Sequence, residues 1–252
     1  DQPRSRGLGD VYKRQCVYND KQRMNEQLKK TLSDQACTYD FVPVNNVNNQ
    51  FKSAAEALNF GALKAKGDIL VFAHQDIIFK TQNELSLFAK YIADYPVGTI
   101  LGVAGAVEGR KENIGIYTSG EKYDPRLLTT VSAPIQVSCV DEFLFGMRKE
   151  TYIRHDFDEK LCNSWHLYAV ELCLYNRKNG GAVYVVPVNV HHFSKGKINL
   201  KYMDGLVELS DKYRKDFKRI WTTCYKINTN YIYVRLLREI WAFKKKVFRE
   251  NY

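Results

Sequence analysis

No apolar run in this 252-residue chain approaches the roughly 20 residues that a membrane-crossing helix needs, so nothing in it reads as a transmembrane span. Cysteine pairing signals are missing as well. Cys16, Cys37, Cys139, Cys162, Cys173 and Cys224 show neither a CxxC spacing nor the dense framework of a small secreted domain. They read as reduced thiols of a cytosolic protein and argue against a structural zinc site. There is no internal repeat and no low-complexity tract. With 45% hydrophobic residues, this composition excludes a disordered chain. Acidic residues are in deficit, 28 against 38 Lys and Arg, for a formal charge of +10.

That excess is concentrated at one end. Residues 201–252 carry 13 Lys and Arg against 6 Asp and Glu, a net of +7. Such an end suits nucleic acid, anionic lipid headgroups or a phosphorylated substrate, and charge alone does not choose among them. The opposite end, Asp1 to Gln15, is polar and Arg-rich, without the apolar core of a secretory signal. It reads as a non-native or disordered segment, like translated adapter sequence, which predicts a first strand frayed beside Cys16. The Gly7-Leu8-Gly9 pair has too few glycines, and no strand before it, to be a dinucleotide fingerprint.

From Cys16 onward the pattern is regular. Cys16 to Asp20 reads as a strand end, followed by a helix through Met24, Leu28 and Leu32. Tyr39 to Val44 forms a second short strand. Ser53 caps a helix carrying Ala54, Ala57, Leu58 and Leu63, and Gly67 follows just past its end. Ile69 to Ala73 is a continuous apolar run that stops at His74-Gln75-Asp76, the signature of a buried parallel strand. Helix is expected over 84–94, strand over 99–104, and a long excursion over 105–133. Strands follow at 135–139 and 143–147, a helix at 163–178, a last strand at 182–186, and two basic amphipathic helices end the chain. Alternating βα units predict an α/β, doubly wound, mostly parallel sheet. In such sheets ligands bind beyond the carboxyl ends of the strands, which is where Asp76 falls.

The motifs Cys16-Val-Tyr-Asn-Asp20, Ala57-Leu-Asn59-Phe-Gly61, His74-Gln75-Asp76, Asp141-Glu-Phe-Leu-Phe-Gly-Met-Arg-Lys-Glu150, Phe157-Asp158-Glu159 and Trp165-His166-Leu-Tyr168-Ala-Val-Glu171 come in a telling order. Together they resemble the family 2 glycosyltransferases of the GT-A fold, notably the streptomycin-biosynthesis-type subgroup. The likeness runs from about Cys16 to about Ser194. It implies a GT-A domain over 16–200 with a basic helical C-terminal region over 201–252. It also implies a nucleoside-diphosphate-sugar donor, a glycan or lipid-linked acceptor, and Mn²⁺ or Mg²⁺ as cofactor, in bacterial surface polysaccharide or glycan synthesis.

The same resemblance implies the site. In the family a DxD motif holds the cation that neutralises a departing diphosphate. Here Asp76 matches the second acid and His74 stands in place of the first, imidazole being an acceptable Mn²⁺ ligand. His191-His192 follows the last strand. Adjacent side chains of an extended segment point opposite ways, so one enters the site, and His192 is preferred as the third metal ligand. Val17, Asn19, Asn45, Asn59, Gln75 and Asp76 are the expected nucleotide-sugar contacts. The position that usually supplies the base is Ala169. Glu171 or His166 is expected to replace it, with Asp141 or Glu142 approaching from the neighbouring strand. Trp165 is a candidate platform for an acceptor sugar.

Apolar and basic residues in the final helix, among them Leu236, Leu237, Ile240, Trp241, Arg235 and Arg238, suggest either packing on the catalytic domain or peripheral contact with the inner face of a plasma membrane. Two other functional classes compete with the enzyme. A catalytically silent GT-A-like module would bind nucleotide or glycan without turnover, as His74 and Ala169 suggest. A nucleic-acid binder is disfavoured, since no clustered aromatic and basic surface motif is present.

Overall fold

Buried apolar strands followed by capped helices set the architecture, and the computed structural model describes residues 12–115, 117–120, 131–194 and 198–249. The chain opens with β1 (Tyr12–Tyr18), α1 (Lys21–Met24), a π-helical segment (Asn25–Lys29), α2 (Lys30–Ser33), β2 (Asp40–Asn45), α3 (Ala54–Lys64), β3 (Ile69–Ala73), β4 (Ile77–Phe79) and α4 (Glu84–Asp94). It continues through β5 (Thr99–Gly102), β6 (Ala104–Ala106), β7 (Asn113–Gly115), β8 (Tyr117–Ser119), β9 (Ile135–Gln136), β10 (Cys139–Val140), β11 (Leu144–Arg148) and α5 (Lys149–Arg154). Then come α6 (Tyr168–Lys178), β12 (Ala182–Val185), β13 (Val190–His192), α7 (Leu200–Tyr213), β14 (Arg219–Trp221), β15 (Lys226–Asn228) and α8 (Tyr231–Arg249).

Seven strands form the main sheet in the order β2-β1-β3-β11-β5-β12-β9. The pairs β1–β2, β1–β3 and β5–β12 are parallel, whereas β11 runs antiparallel to both β3 and β5, and β9 antiparallel to β12. The sheet is thus mostly parallel, as expected, with β11 inserted in reverse. Every residue of β3 is buried, consistent with its central place and continuous apolar text. Two small sheets, β10-β6-β7 and β4-β13-β8, fold over the carboxyl side. Local signals set the helix starts: Asp20 Oδ1 accepts from Arg23 N at 2.9 Å, and Ser53 Oγ from Glu56 N at 3.2 Å.

Three expectations need correction. Residues 12–15, placed outside the fold by their polarity, are strand. Tyr12 to Gln15 pair with Ile69 to Phe72, and Lys13 to Gln15 with Asp40 to Val42. A strand laddered on both sides is held by its backbone, and the buried Gln15 donates from Nε2 to Leu58 O at 2.6 Å. Residues 1–11 lie outside the described residues, as do 116, 121–130, 195–197 and 250–252. Second, the helix expected from Asn163 begins at Tyr168, because Leu167 takes the left-handed conformation at φ 69°. Third, the described part of the C-terminal region is not helical throughout, since β14 and β15 pair between its two helices, and it packs on the rest of the chain. Met203, Leu206, Leu209, Tyr213, Ile220, Ile227 and Val234 belong to one core with Phe72, Phe145 and Phe157. At Gly61 a Cβ would lie 2.3 Å from Gln15 Nε2, so this glycine serves close packing of α3 on the sheet.

Candidate active site

Beyond the carboxyl end of β3 lies a cleft of about 250 Å³ whose walls include Val17, Asn19, His74, Gln75, Asp76, Glu142, Trp165 and Tyr168. The β1 loop forms one side. Gln75 Oε1 accepts from the backbone N–H groups of Asn19 and Asp20, both at 3.0 Å, and its Nε2 donates to Asn19 Oδ1 at 2.7 Å. Gln75 therefore shapes the loop, leaving Val17 and Asn19 facing the cleft.

At the mouth, His74, Asp76 and His192 bring one ligand atom each within 4.8 Å of one another. Pairing of β13 with β4 places His192 opposite Ile77, and Phe193 N donates to Asp76 O at 2.9 Å, so β13 delivers His192 beside Asp76. His192 Nε2 lies 3.3 Å from Asp76 Oδ1, and His74 Nδ1 4.0 Å from the same oxygen. Phe143 stacks on the His192 ring at 4.8 Å. Its neighbour His191 faces the other way, fully buried and bonded through Nδ1 to Thr118 Oγ1. The alternation expected of an extended pair is what the strand shows.

Electrostatics prepare this trio for a cation. Burial, then His192, pulls the His74 pKa down to about 4, so the imidazole is neutral near pH 7 even though 38% of its side chain reaches solvent at the cleft. Burial opposes ionisation of Asp76, yet the close approach of His192, and then of His74 and Arg23, brings its pKa to about 2. Arg23 Nη2 lies 3.4 Å from Asp76 Oδ2. Tyr168 Oη lies 3.0 Å from His74 Nε2 and 3.4 Å from the carbonyl of Glu142. If Tyr168 donates to that carbonyl, it accepts from His74 Nε2–H, which turns the Nδ1 lone pair toward Asp76. His192 Nε2 is a buried nitrogen without an aligned hydrogen-bond partner, aimed at the same point. Two imidazoles and one carboxylate fit a divalent transition-metal ion.

Glu142 is the other notable group. Backbone N–H groups of Ala169, Leu167 and Tyr168, at the start of α6, face its carboxylate and favour its charge. Burial and the adjacent Asp141 outweigh them and raise its pKa to about 8. Its Oε1 is shielded from solvent and has no protein partner among the described residues, while the residue lines the cleft.

The remaining expected residues fall elsewhere. Glu171 is fully buried and saturated: Tyr213 Oη donates to it at 2.6 Å, Lys212 Nζ lies at 2.7 Å and His155 Nε2 at 3.0 Å. Burial opposes its charge, but these three donors hold its pKa below the usual carboxylate range. It is a structural acid tying α6 to α7. His166 precedes the helix instead of sitting on it, with its ring 5.5 Å from that of Tyr202 and its pKa lowered by burial. Asp141 accepts from Thr223 Oγ1 at 2.6 Å and from Phe143 N at 3.3 Å, anchoring the β14–β15 turn. Asn59 is buried, and its amide is consumed by Phe157, Glu159 and Tyr152, at 2.6–3.1 Å. Asn45 lies at the exposed end of β2, its Oδ1 accepting from Val47 N at 2.9 Å. None of these five is among the residues lining the cleft.

Residues 15–221 match a family model described as a glycosyltransferase-like family. A search of curated proteins by sequence gives no match. Among solved structures, a mannosyltransferase from Pyrobaculum calidifontis in complex with GDP-Man and Mn²⁺ superposes with a TM-score of 0.57 at 14% identity, covering 84% of this chain and 66% of that one. GalNAc-T7 with UDP, GalNAc and Mn²⁺ gives 0.55 at 14% identity, covering 81% and 49%. S. aureus TarS in complex with UDP-GlcNAc gives 0.52 at 10%, covering 82% and 68%. The chain thus spans from half to about two-thirds of the length of these chains, and the likeness establishes the GT-A fold.

Proposed function

The chain belongs to the glycosyltransferase-like family, and from that membership we propose that it transfers a sugar from a nucleoside diphosphate to an acceptor hydroxyl, with a divalent cation and inversion at the anomeric carbon. The observation carrying this reading is the convergence of His74, Asp76 and His192 at the mouth of a cleft walled by the β1 loop. A cation held by these three would neutralise charge developing on the departing diphosphate. Their chemistry, two imidazoles and one carboxylate, favours Mn²⁺ over Mg²⁺. The similar structures above hold GDP-Man, UDP or UDP-GlcNAc, which supports a nucleotide-linked donor without choosing the sugar.

Direct displacement needs one base, and the cleft offers Glu142. We assign the role to it in preference to Glu171, His166 or Asp141. Glu142 lines the cleft, carries a carboxylate oxygen without a protein partner among the described residues, and has its pKa pushed up to about 8, near the working range of a general base. The other three spend their polar atoms on the fold or stand outside the cleft. Val17 and Asn19 would meet the nucleoside, and Trp165, 42% exposed, the acceptor sugar, supporting a glycan or a glycan on a lipid. The order of motifs supports the streptomycin-biosynthesis-type subgroup and a role in bacterial glycan assembly.

The test is a melting-temperature screen of nucleoside diphosphates with and without Mn²⁺, followed by donor turnover, in the native chain and in Asp76→Asn. A nucleotide-induced rise that requires Mn²⁺, present in the native chain and absent in Asp76→Asn, is expected. A cation-dependent rise unaffected by this substitution would refute the site. Binding without turnover of any donor would favour the silent module over the enzyme.

A further inference from the structure

Helix α8 is apolar on two opposite sides, and among the described residues only one of them packs against the rest of the chain. On the inner side Val234 is fully buried, Leu237 and Trp241 pack against the core, and Arg238 Nε bonds Asp204 Oδ1 of α7 at 2.8 Å. On the outer side Ile232, Leu236, Ile240 and Phe243 succeed one another at helical spacing and are 76%, 58%, 44% and 68% exposed. At 100° per residue these four fall within an arc of about 80°. Isolated exposed apolar side chains are ordinary, but four aligned along one ridge form a patch of the kind that marks an interaction site.

We propose that this outer face of α8 docks on an anionic lipid bilayer, with the helix lying in the plane of the headgroups. The charge pattern selects this occupant. Arg235 and Lys246 border the ridge on one edge and Lys244 on the other, all exposed, with Glu239 the only acid of the helix. Basic residues flanking an apolar face suit a surface of phosphate headgroups over acyl chains. A second copy of the chain, packed ridge to ridge about a two-fold axis, would instead bring rows of Lys and Arg together. The stripe expected from the sequence combined residues of both sides; the structure separates Leu237 and Trp241, which face the core, from Leu236 and Ile240, which do not. This inference is independent of the chemistry assigned to the cleft.

The test is co-sedimentation of the full chain with vesicles of pure phosphatidylcholine and with vesicles half phosphatidylglycerol. Binding to the anionic vesicles, weakened by salt and falling at least about tenfold in Leu236→Glu/Phe243→Glu, is expected. Since both side chains are exposed, the melting temperature of this variant should match the native one, which separates lost docking from lost folding. In Lys244→Glu/Lys246→Glu the preference for anionic over neutral vesicles should shrink. Absence of binding to anionic vesicles, or binding unchanged by Leu236→Glu/Phe243→Glu, would overturn the proposal. So would light scattering that shows a dimer dissolved by the same two substitutions.

Discussion

Replacing Glu142 by Gln separates catalysis from stability in opposite directions. The side chain keeps its length and loses its charge, so a base at this position should cost about 10²- to 10⁴-fold in kcat. Stability should move the other way. The native carboxyl holds its proton up to about pH 8, against 4.5 when unfolded, so the folded state binds more protons throughout this window. Native stability therefore falls as pH rises through it, and the loss is complete above the folded pKa. At about 1.4 kcal/mol per pH unit, the ceiling is about 5 kcal/mol. Solvent at the cleft mouth reduces that, and about 2 kcal/mol, or roughly 4–8 °C in Tm, is a working figure above pH 8. Glu142→Gln lacks this titration, so its advantage over the native chain should be small at pH 5 and grow toward pH 8. Calorimetry at several pH values and donor turnover over the same range measure both effects. Turnover in the native chain should rise with pH through the same window. A variant that keeps native kcat would remove Glu142 from the chemistry, and parallel Tm curves for the two proteins would refute the raised pKa.

Arg23→Ala removes the guanidinium that lies 3.4 Å from Asp76 and competes with a cation for the same carboxylate. Mn²⁺ affinity, read by calorimetry without nucleotide, should rise about fivefold, corresponding to a like-charge repulsion on the order of 1 kcal/mol; an unchanged affinity would sink the argument. Glu171→Gln leaves Lys212 and His155 facing a neutral amide in a buried network and should cost about 3 kcal/mol of stability in urea melts at pH 7. Because the folded pKa of Glu171 is depressed, the native advantage is present above 4.5 and disappears as pH falls through the folded value. A loss of turnover without loss of stability would contradict the structural role.

The main features of the sheet were legible because each carried a local cause. The apolar text of Ile69 to Ala73 could only be buried, and Ser53 announced a helix start through the side chain that caps it. The preference for Glu142 over the other candidate acids was not legible in the same way. Glu171 or His166 was expected only as a neighbour of Ala169, where the resemblance places the base, and the helix was expected to start near Asn163. A leucine at φ 69° delays that start to Tyr168, and nothing in hydrophobic spacing signals such a residue. The shift turns the first-turn N–H groups toward Glu142 and leaves Glu171 to the interior. His192 was placed only approximately, since its approach to Asp76 depends on pairing between β4 and β13, more than a hundred residues apart in sequence. In α8, apolar residues run around most of the circumference, so periodicity could not say which side the core would take until α7 occupied one.

The histidine at position 74 makes more sense with Glu142 in view than alone. An acid there would add a second carboxylate beside Asp76 and a further negative charge near the pair Asp141 and Glu142, pushing the Glu142 proton still harder against release. A neutral imidazole avoids that, and through Tyr168 it is held by the same strand end that carries Glu142. The cost falls on cation binding, which loses one unit of negative charge and with it the hard oxygen ligand that Mg²⁺ prefers. His192 restores the ligand count with nitrogen instead of oxygen. If Glu142 is the base, the departure from an acid-x-acid motif and a carboxyl one strand away form a single arrangement: with fewer negative charges at position 74, the Glu142 carboxyl gives up its proton more readily.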